Sequence, residues 1–117
     1  TLDYTRNRKA FGQSVFDYQH TRFRLAEAKA NATMLRVFVD DCLGLHLRGA
    51  LTPERAAMAK MLASDMQNRL LDDFLQMHGG QGYMVEGGIG SAWVDARVAR
   101  IYGGSNEIMK EIVARSL

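Results

Sequence analysis

Two long stretches of helix-compatible sequence, joined by a short break at Gly49–Thr52, leave this chain few folds to choose from. From about Tyr18 to Arg48 there is no proline and only Gly44 interrupts. Phe23, Ala26, Ala30, Met34, Val37, Phe38, Cys42 and Leu45 recur at helical spacing, on an arc that also takes in Leu35 and Val39. That arc is wider than a surface helix needs, which predicts enclosure on more than one side. Gly49 ends the stretch. Thr52-Pro53-Glu54 then supplies a capping residue, a proline at the first helical position and an acid in the first turn. Beyond it Ala59, Ala63, Met66, Leu70, Phe74 and Met77 share one narrow face, while Lys60, Gln67, Asn68, Arg69, Asp72 and Asp73 mostly avoid it. Gly79-Gly80 stops this second helix. Each helix would be roughly 40 Å long at 1.5 Å rise per residue, and the short link forces them antiparallel.

The flanks are read the same way. Thr1 to Lys9 is polar and helix-compatible, with Ala10-Phe11-Gly12 as its exit, so it reads as the last turns of a helix that starts upstream. Gln81 to Gly90 is glycine-rich and predicts a loop. A shorter helix follows from about Ser91 to Val98. The last runs from Ser105 to Leu117 and should bury Ile108, Met109, Ile112 and Val113. No segment shows sustained two-residue alternation. The expected fold is one all-α domain over residues 1–117, an antiparallel up-down bundle of the four-helix type with its first helix truncated.

Composition narrows the function classes. Residues of the apolar set make up 47% of the chain, enough for a packed core, and a net charge of +2 with interspersed signs gives no electrostatic reason to expect nucleic acid or an anionic membrane surface. No apolar run predicts membrane insertion. The single Cys42 excludes an intrachain disulfide, fits a reducing compartment and reads as a small core residue. His20, His46 and His78 lie on separate segments without metal-ligand spacing, so no metal site is expected. Gly80-Gln81-Gly82 follows a helix and not a strand, which removes the mechanism behind a dinucleotide fingerprint.

Three stretches carry chemistry. Arg8-Lys9-Ala10-Phe11-Gly12 ends a helix with a guanidinium suited to bidentate pairing with phosphate. Gln76-Met77-His78-Gly79-Gly80-Gln81-Gly82-Tyr83 sets amides beside bare backbone. Ile101-Tyr102-Gly103-Gly104-Ser105-Asn106-Glu107 combines a Gly-Gly break with a serine able to cap the next helix, leaving backbone N–H groups outward where a flat ligand could approach.

In this order and at these separations, the three stretches closely resemble the C-terminal helical domain of the acyl-CoA dehydrogenases. The likeness extends to Gln19, to Val94-Asp95-Ala96-Arg97, and to the closing Tyr102-to-Ile112 run, which looks most like the long-chain branch. What the resemblance implies is a subunit with two further domains, assembled as a dimer or tetramer, that binds FAD between domains and across a subunit interface. Arg8 and Phe11 would then meet the FAD of a neighbouring subunit, with Gln19 assisting. Gln76, Met77, His78, Gly79 and Gly80 would lie along its adenine side. Gly103 and Gly104 would face the acyl-CoA thioester, and Ser105, Asn106 and Glu107 would contact FAD. An electron-accepting flavoprotein would be a partner, in a bacterial cytoplasm or a mitochondrial matrix.

One departure bears on mechanism. Many family members carry the catalytic glutamate directly after the tyrosine of the closing motif, and here that position is Gly103. The resemblance to the long-chain and isovaleryl branches puts the base instead about 18 residues upstream of Thr1, five helical turns away. No catalytic residue is therefore expected within 1–117. Gly87-Gly88 replaces the Tyr-Pro of many relatives in the pocket wall. Two alternatives stay open on sequence: a flavin oxidase or monooxygenase of the same superfamily, and a non-catalytic helical oligomerisation module.

Overall fold

The second long helix carries its small and polar residues on the face opposite its apolar stripe, and in the structure both faces are used. The computed structural model describes residues 1–117, a rod of 54 × 24 × 24 Å. Helix α1 is Leu2–Asn7, followed by a minimal hairpin of β1 (Lys9–Ala10) and β2 (Gln13–Ser14). Helices α2 (Gln19–Leu47) and α3 (Pro53–His78) form the long antiparallel pair. The short α4 (Gly80–Tyr83), α5 (Ile89–Val98) and α6 (Asn106–Ala114) complete the chain. The all-α class and the up-down pairing are as expected.

The enclosure differs from expectation. Helix α3, not α2, is packed on two sides, with α2 against its apolar stripe and α5 and α6 against the other face. At 100° per residue, Ala57, Ser64 and Asn68 point about opposite to Met66 and Leu70. Ala57 and Ser64 are the most buried residues of the helix, at 3% and 5% exposure. Small residues there let the crossing helices come close, and Asn68 donates from Nδ2 to the Ala96 carbonyl of α5 at 2.8 Å. The periodicity did not announce this face because its partners are hydrogen-bonded and small, not apolar. Along α2 only Thr21, Ala28 and Cys42 are buried, whereas Phe23, Met34 and Val37 stay exposed, since nothing in these 117 residues covers that part of the arc.

Helix ends follow local chemistry. Gly49 at φ +69° closes α2, its N–H donating to His46 O at 3.0 Å while Ala50 N–H reaches Leu45 O at 2.9 Å. Pro53 opens α3, although Thr52 makes no side-chain cap hydrogen bond. The expected helix through Lys9 stops at Asn7, because Arg8 is extended and the chain turns back as a hairpin with Lys9 opposite Ser14. Two-residue strands are too short to show alternation. The stretch read as a loop, Gln81 to Gly90, contains the turns of α4 and a 3₁₀ turn at Val85–Gly87. Helix α6 ends at Ala114, short of Leu117.

A trough remains along the α2–α3 pair. At one end, next to Thr1 and Leu2, it is floored by Leu25, Ala32, Leu70 and Phe74 and encloses about 640 Å³. It continues past Leu35, Val39 and Ala63. It reaches Ala99, Tyr102 and Gly103 at the other end. No helix is long and apolar enough to cross a membrane.

Tyr4 fastens α1 to the end of α3. Its ring stacks on His78 with centroids 4.0 Å apart and planes 8° from parallel, and its hydroxyl donates to His78 O at 3.0 Å. Burial pushes the His78 imidazole below its ordinary 6.5. The fold thus favours neutral His78, and the unfolded chain takes up a proton first as pH falls. The stabilisation is complete above 6.5 and is lost as pH drops through that value towards the folded one. Thermal midpoints should therefore fall between about pH 7.5 and 5, and His78→Phe, which keeps the stack without the titration, should flatten that dependence.

Candidate functional site

The break between α5 and α6 is built from backbone. Gly103 and Gly104 sit at φ +62° and +87°, a conformation that other residues adopt only with strain. Ser105 caps α6 as expected, its Oγ accepting from Ile108 N at 3.4 Å. The N–H groups of Gly103, Gly104 and Ser105 have no backbone acceptor, while Asn106 N–H returns to Arg100 O at 3.0 Å. A Cβ placed on Gly103 would meet nothing within 4 Å, so the turn presents an open surface free of side chains. On Gly104 a Cβ would stand 2.6 Å from Met109 Cε, which fixes the turn against the buried face of α6.

Beneath the turn lies a polar cluster. Lys60 Nζ donates to Gly104 O and to Asn106 Oδ1, both at 2.7 Å. Asn106 Nδ2 donates to Asp65 Oδ1 at 2.8 Å and to Ser64 Oγ at 2.9 Å. Arg100 Nε lies 2.6 Å from the same Asp65 oxygen. Asn106 is 1% exposed, so its carboxamide is turned wholly into the protein and shapes the turn instead of facing a ligand. Glu107 is exposed beside it. Its own backbone N–H and then the Ser105 hydroxyl hold its carboxyl below the ordinary carboxylate range, which makes it a weak proton acceptor.

The other predicted residues gather at the opposite end of α3. Arg8 is exposed just before the hairpin, its carbonyl accepting from Val15 N at 2.8 Å. Phe11 stands at the tip, 99% exposed and at φ +51°. Tyr18 Oη donates to Ala10 O at 2.8 Å, tying the hairpin to Gln19, the exposed first residue of α2. Through the Tyr4–His78 stack this group adjoins the end of α3, where Gln76, Gly79 and Gly80 are exposed and Met77 is half-buried. The His78 ring is committed inward to Tyr4 and to Thr1, whose Oγ1 lies 3.2 Å from Nε2. Eighteen residues of α3, from His78 back to Lys60, put the two groups roughly 27 Å apart.

No three His, Cys, Asp or Glu side chains gather as a metal cluster, and the hydroxyl beside a carboxylate at the Gly-Gly turn, Ser105 with Glu107, is engaged in capping α6. These elements define an all-α domain with bare, open backbone beside one end of α3 and exposed charged and amide side chains at the other.

The chain belongs to the acyl-CoA dehydrogenase family, as its C-terminal domain: residues 1–117 match the family described as "Acyl-CoA dehydrogenase, C-terminal domain". It is 50% identical over 117 residues to the long-chain specific acyl-CoA dehydrogenase, mitochondrial, of Rattus norvegicus, covering all of this chain and 27% of that protein. The crystal structure of an acyl-CoA dehydrogenase from Geobacillus kaustophilus superposes with a TM-score of 0.96 at 38% identity, covering 98% of this chain and 30% of that one. The butyryl-CoA dehydrogenase of Megasphaera elsdenii gives a TM-score of 0.94 at 29% identity, with 98% and 30% covered. The chain thus spans less than a third of the length of these relatives.

Sequence reasoning missed Tyr4, Lys60, Ser64 and Asp65. Each acts through a partner 41 or more positions away, so no local spacing marks it. The two glycines make separable demands. Gly103→Ala meets only the left-handed backbone, at about 1 to 2 kcal/mol, whereas Gly104→Ala must also displace Met109. Because the displaced atom is the far end of a flexible side chain, denaturant titration should show Gly104→Ala as the more destabilising, but by less than about 1 kcal/mol.

Proposed function

We propose that this domain belongs to an FAD-dependent enzyme that removes hydrogens from the α and β carbons of a long-chain-type acyl-CoA, with the assembly shared between subunits. The observation that carries the reading is the Gly103–Gly104–Ser105 wall: positive-φ backbone, N–H groups without acceptors and open space where a side chain would be. Such a wall suits a planar ring and a thioester packed face to face, with N–H donors free for carbonyl or ring acceptors. Bound FAD supplies the acceptor for hydride from the β carbon. This chain's part is to bind and orient: Gly103 and Gly104 against the acyl thioester, Ser105 and Glu107 at the edge of the flavin.

The distant group fits a second flavin, held by a neighbouring copy. Arg8 offers a free guanidinium fork for a pyrophosphate, Phe11 projects away from the rest of the domain, and Gln19 with Gln76, Gly79 and Gly80 supplies amides and bare backbone. A spacing of roughly 27 Å along α3 favours two cofactors, one at each end, and hence a homodimer or tetramer. An electron-accepting flavoprotein would reoxidise the cofactor.

The base is assigned outside the 117 residues, since Gly103 has no side chain and Glu107 is a poor acceptor. The trough supports this assignment. Thr1 lies beside His78, and α1 extended backwards as a helix for about 18 residues climbs roughly 27 Å, level with Lys60 and the Gly103–Gly104 turn. Such a helix would fill the trough, complete the bundle and bring a carboxylate to the substrate's α carbon.

Two experiments on the full-length protein test the reading. Arg8→Ala should weaken flavin binding by about 1.5 to 3 kcal/mol, seen as loss of the yellow cofactor on gel filtration, and unchanged flavin content would contradict the assignment. In a variant stripped of its upstream carboxylate, Gly103→Glu should restore part of the dehydrogenation. The left-handed backbone there makes glutamate cost about 1 to 2 kcal/mol, but its Cβ meets no neighbour. A folded, flavin-loaded and inert double variant would refute the proposed geometry.

A further inference from the structure

We infer that Lys60 is a positioning residue for the reaction, holding the Gly103–Gly104–Ser105 backbone in the one orientation that leaves its donors facing the substrate and flavin. The inference rests on the reading of that backbone as their shared wall. Glycines at φ +62° and +87° have wide conformational freedom and do not hold a shape unaided. Something must choose one. Lys60 reaches from α3 to the turn and donates to Gly104 O at 2.7 Å. A trans peptide is planar with its C=O and N–H on opposite sides, so drawing the Gly104 oxygen inward turns the Ser105 N–H outward. That N–H is one of those left without a backbone acceptor. Bonding the carbonyl to an ammonium also polarises the peptide and strengthens the same N–H as a donor.

The lysine is itself held. Its second hydrogen bond goes to Asn106 Oδ1 at 2.7 Å, and Asn106 is anchored in turn by Ser64 and Asp65. Both anchors are on α3, four and five residues beyond Lys60, so one rigid helix carries the whole support. Lys60 also borders the end of the trough beside Tyr102 and Gly103, so removing its ammonium alters the floor of the proposed site without cutting through the bundle.

The test uses the full-length, flavin-loaded protein. Lys60→Met keeps the apolar stem and removes the ammonium. It should retain flavin, lose about tenfold or more in kcat with KM changed less than about threefold, and show a weaker flavin absorption shift on binding an acyl-CoA. Asn68→Ala, which removes the hydrogen bond from α3 to the Ala96 carbonyl of α5 and leaves the Lys60–Asn106 contacts alone, serves as the comparison, lowering the thermal midpoint while leaving kcat within about twofold. A Lys60→Met protein that loses only thermal stability, with kcat and the absorption shift intact, would overturn the inference. If Lys60→Met does not fold, Lys60→Gln, one bond shorter and unable to reach the Gly104 carbonyl, must show the same loss of kcat, and wild-type turnover in it overturns the inference equally. A wild-type protein that carries no flavin would instead remove the reading on which the inference rests, whereas a loaded and active wild type with an indifferent Lys60→Met removes only the role of Lys60.

Discussion

The carboxamide of Asn106 is satisfied only when α3, α6 and the turn before α6 are all in place, and the candidate site depends on that condition. A buried amide left without partners costs about 1 to 3 kcal/mol, so the docking of α6 and the shape of the Gly-Gly turn are coupled. Its oxygen receives Lys60 and its nitrogen gives to Ser64 and Asp65. The polar face of α3 therefore specifies where the last helix lies, a task that apolar contact alone leaves loosely defined. The opposite face packs on α2, where the ion pairs Arg24–Asp73 and Asp41–Arg55 cross between the two long helices.

That division of labour explains how much of the molecule could be read in advance. Both long helices were legible in their spacing, and their ends in Gly49, Pro53 and Gly79. The Gly103–Gly104 break and the Ser105 cap were legible because they are local. Asn106 was expected to contact FAD, and its carboxamide is turned inward, bonded to residues of another helix that no local pattern reveals. The hairpin at Lys9–Ser14 was invisible for a different reason: it is made by Phe11 entering positive φ, which an aromatic residue gives no sign of in sequence. The exposed arc of α2 was read correctly as apolar, and within these 117 residues part of it has no cover. Periodicity reports that a face is apolar and does not say whether its cover lies within the same 117 residues.

The α2–α3 trough and the bare turn at its end are parts of one design. Apolar floor runs from Thr1 to Gly103, and the feature at its far end is a stretch of backbone with spare donors. A helix seated there would be held by ordinary packing along its length, and one side chain on it would be placed opposite that backbone by the rise per residue alone. Precision at the reacting atoms would then come from the stiffness of helices and not from loops.

The hairpin tip has a consequence for how such a protein matures. An aromatic ring almost fully in solvent, on strained backbone, stabilises nothing within these 117 residues. If its surroundings are supplied by a neighbouring copy with a cofactor between them, assembly and cofactor loading are a single linked equilibrium. Dilution would then empty the protein of its coenzyme, and scarcity of the vitamin precursor would leave newly made chains as unpaired monomers.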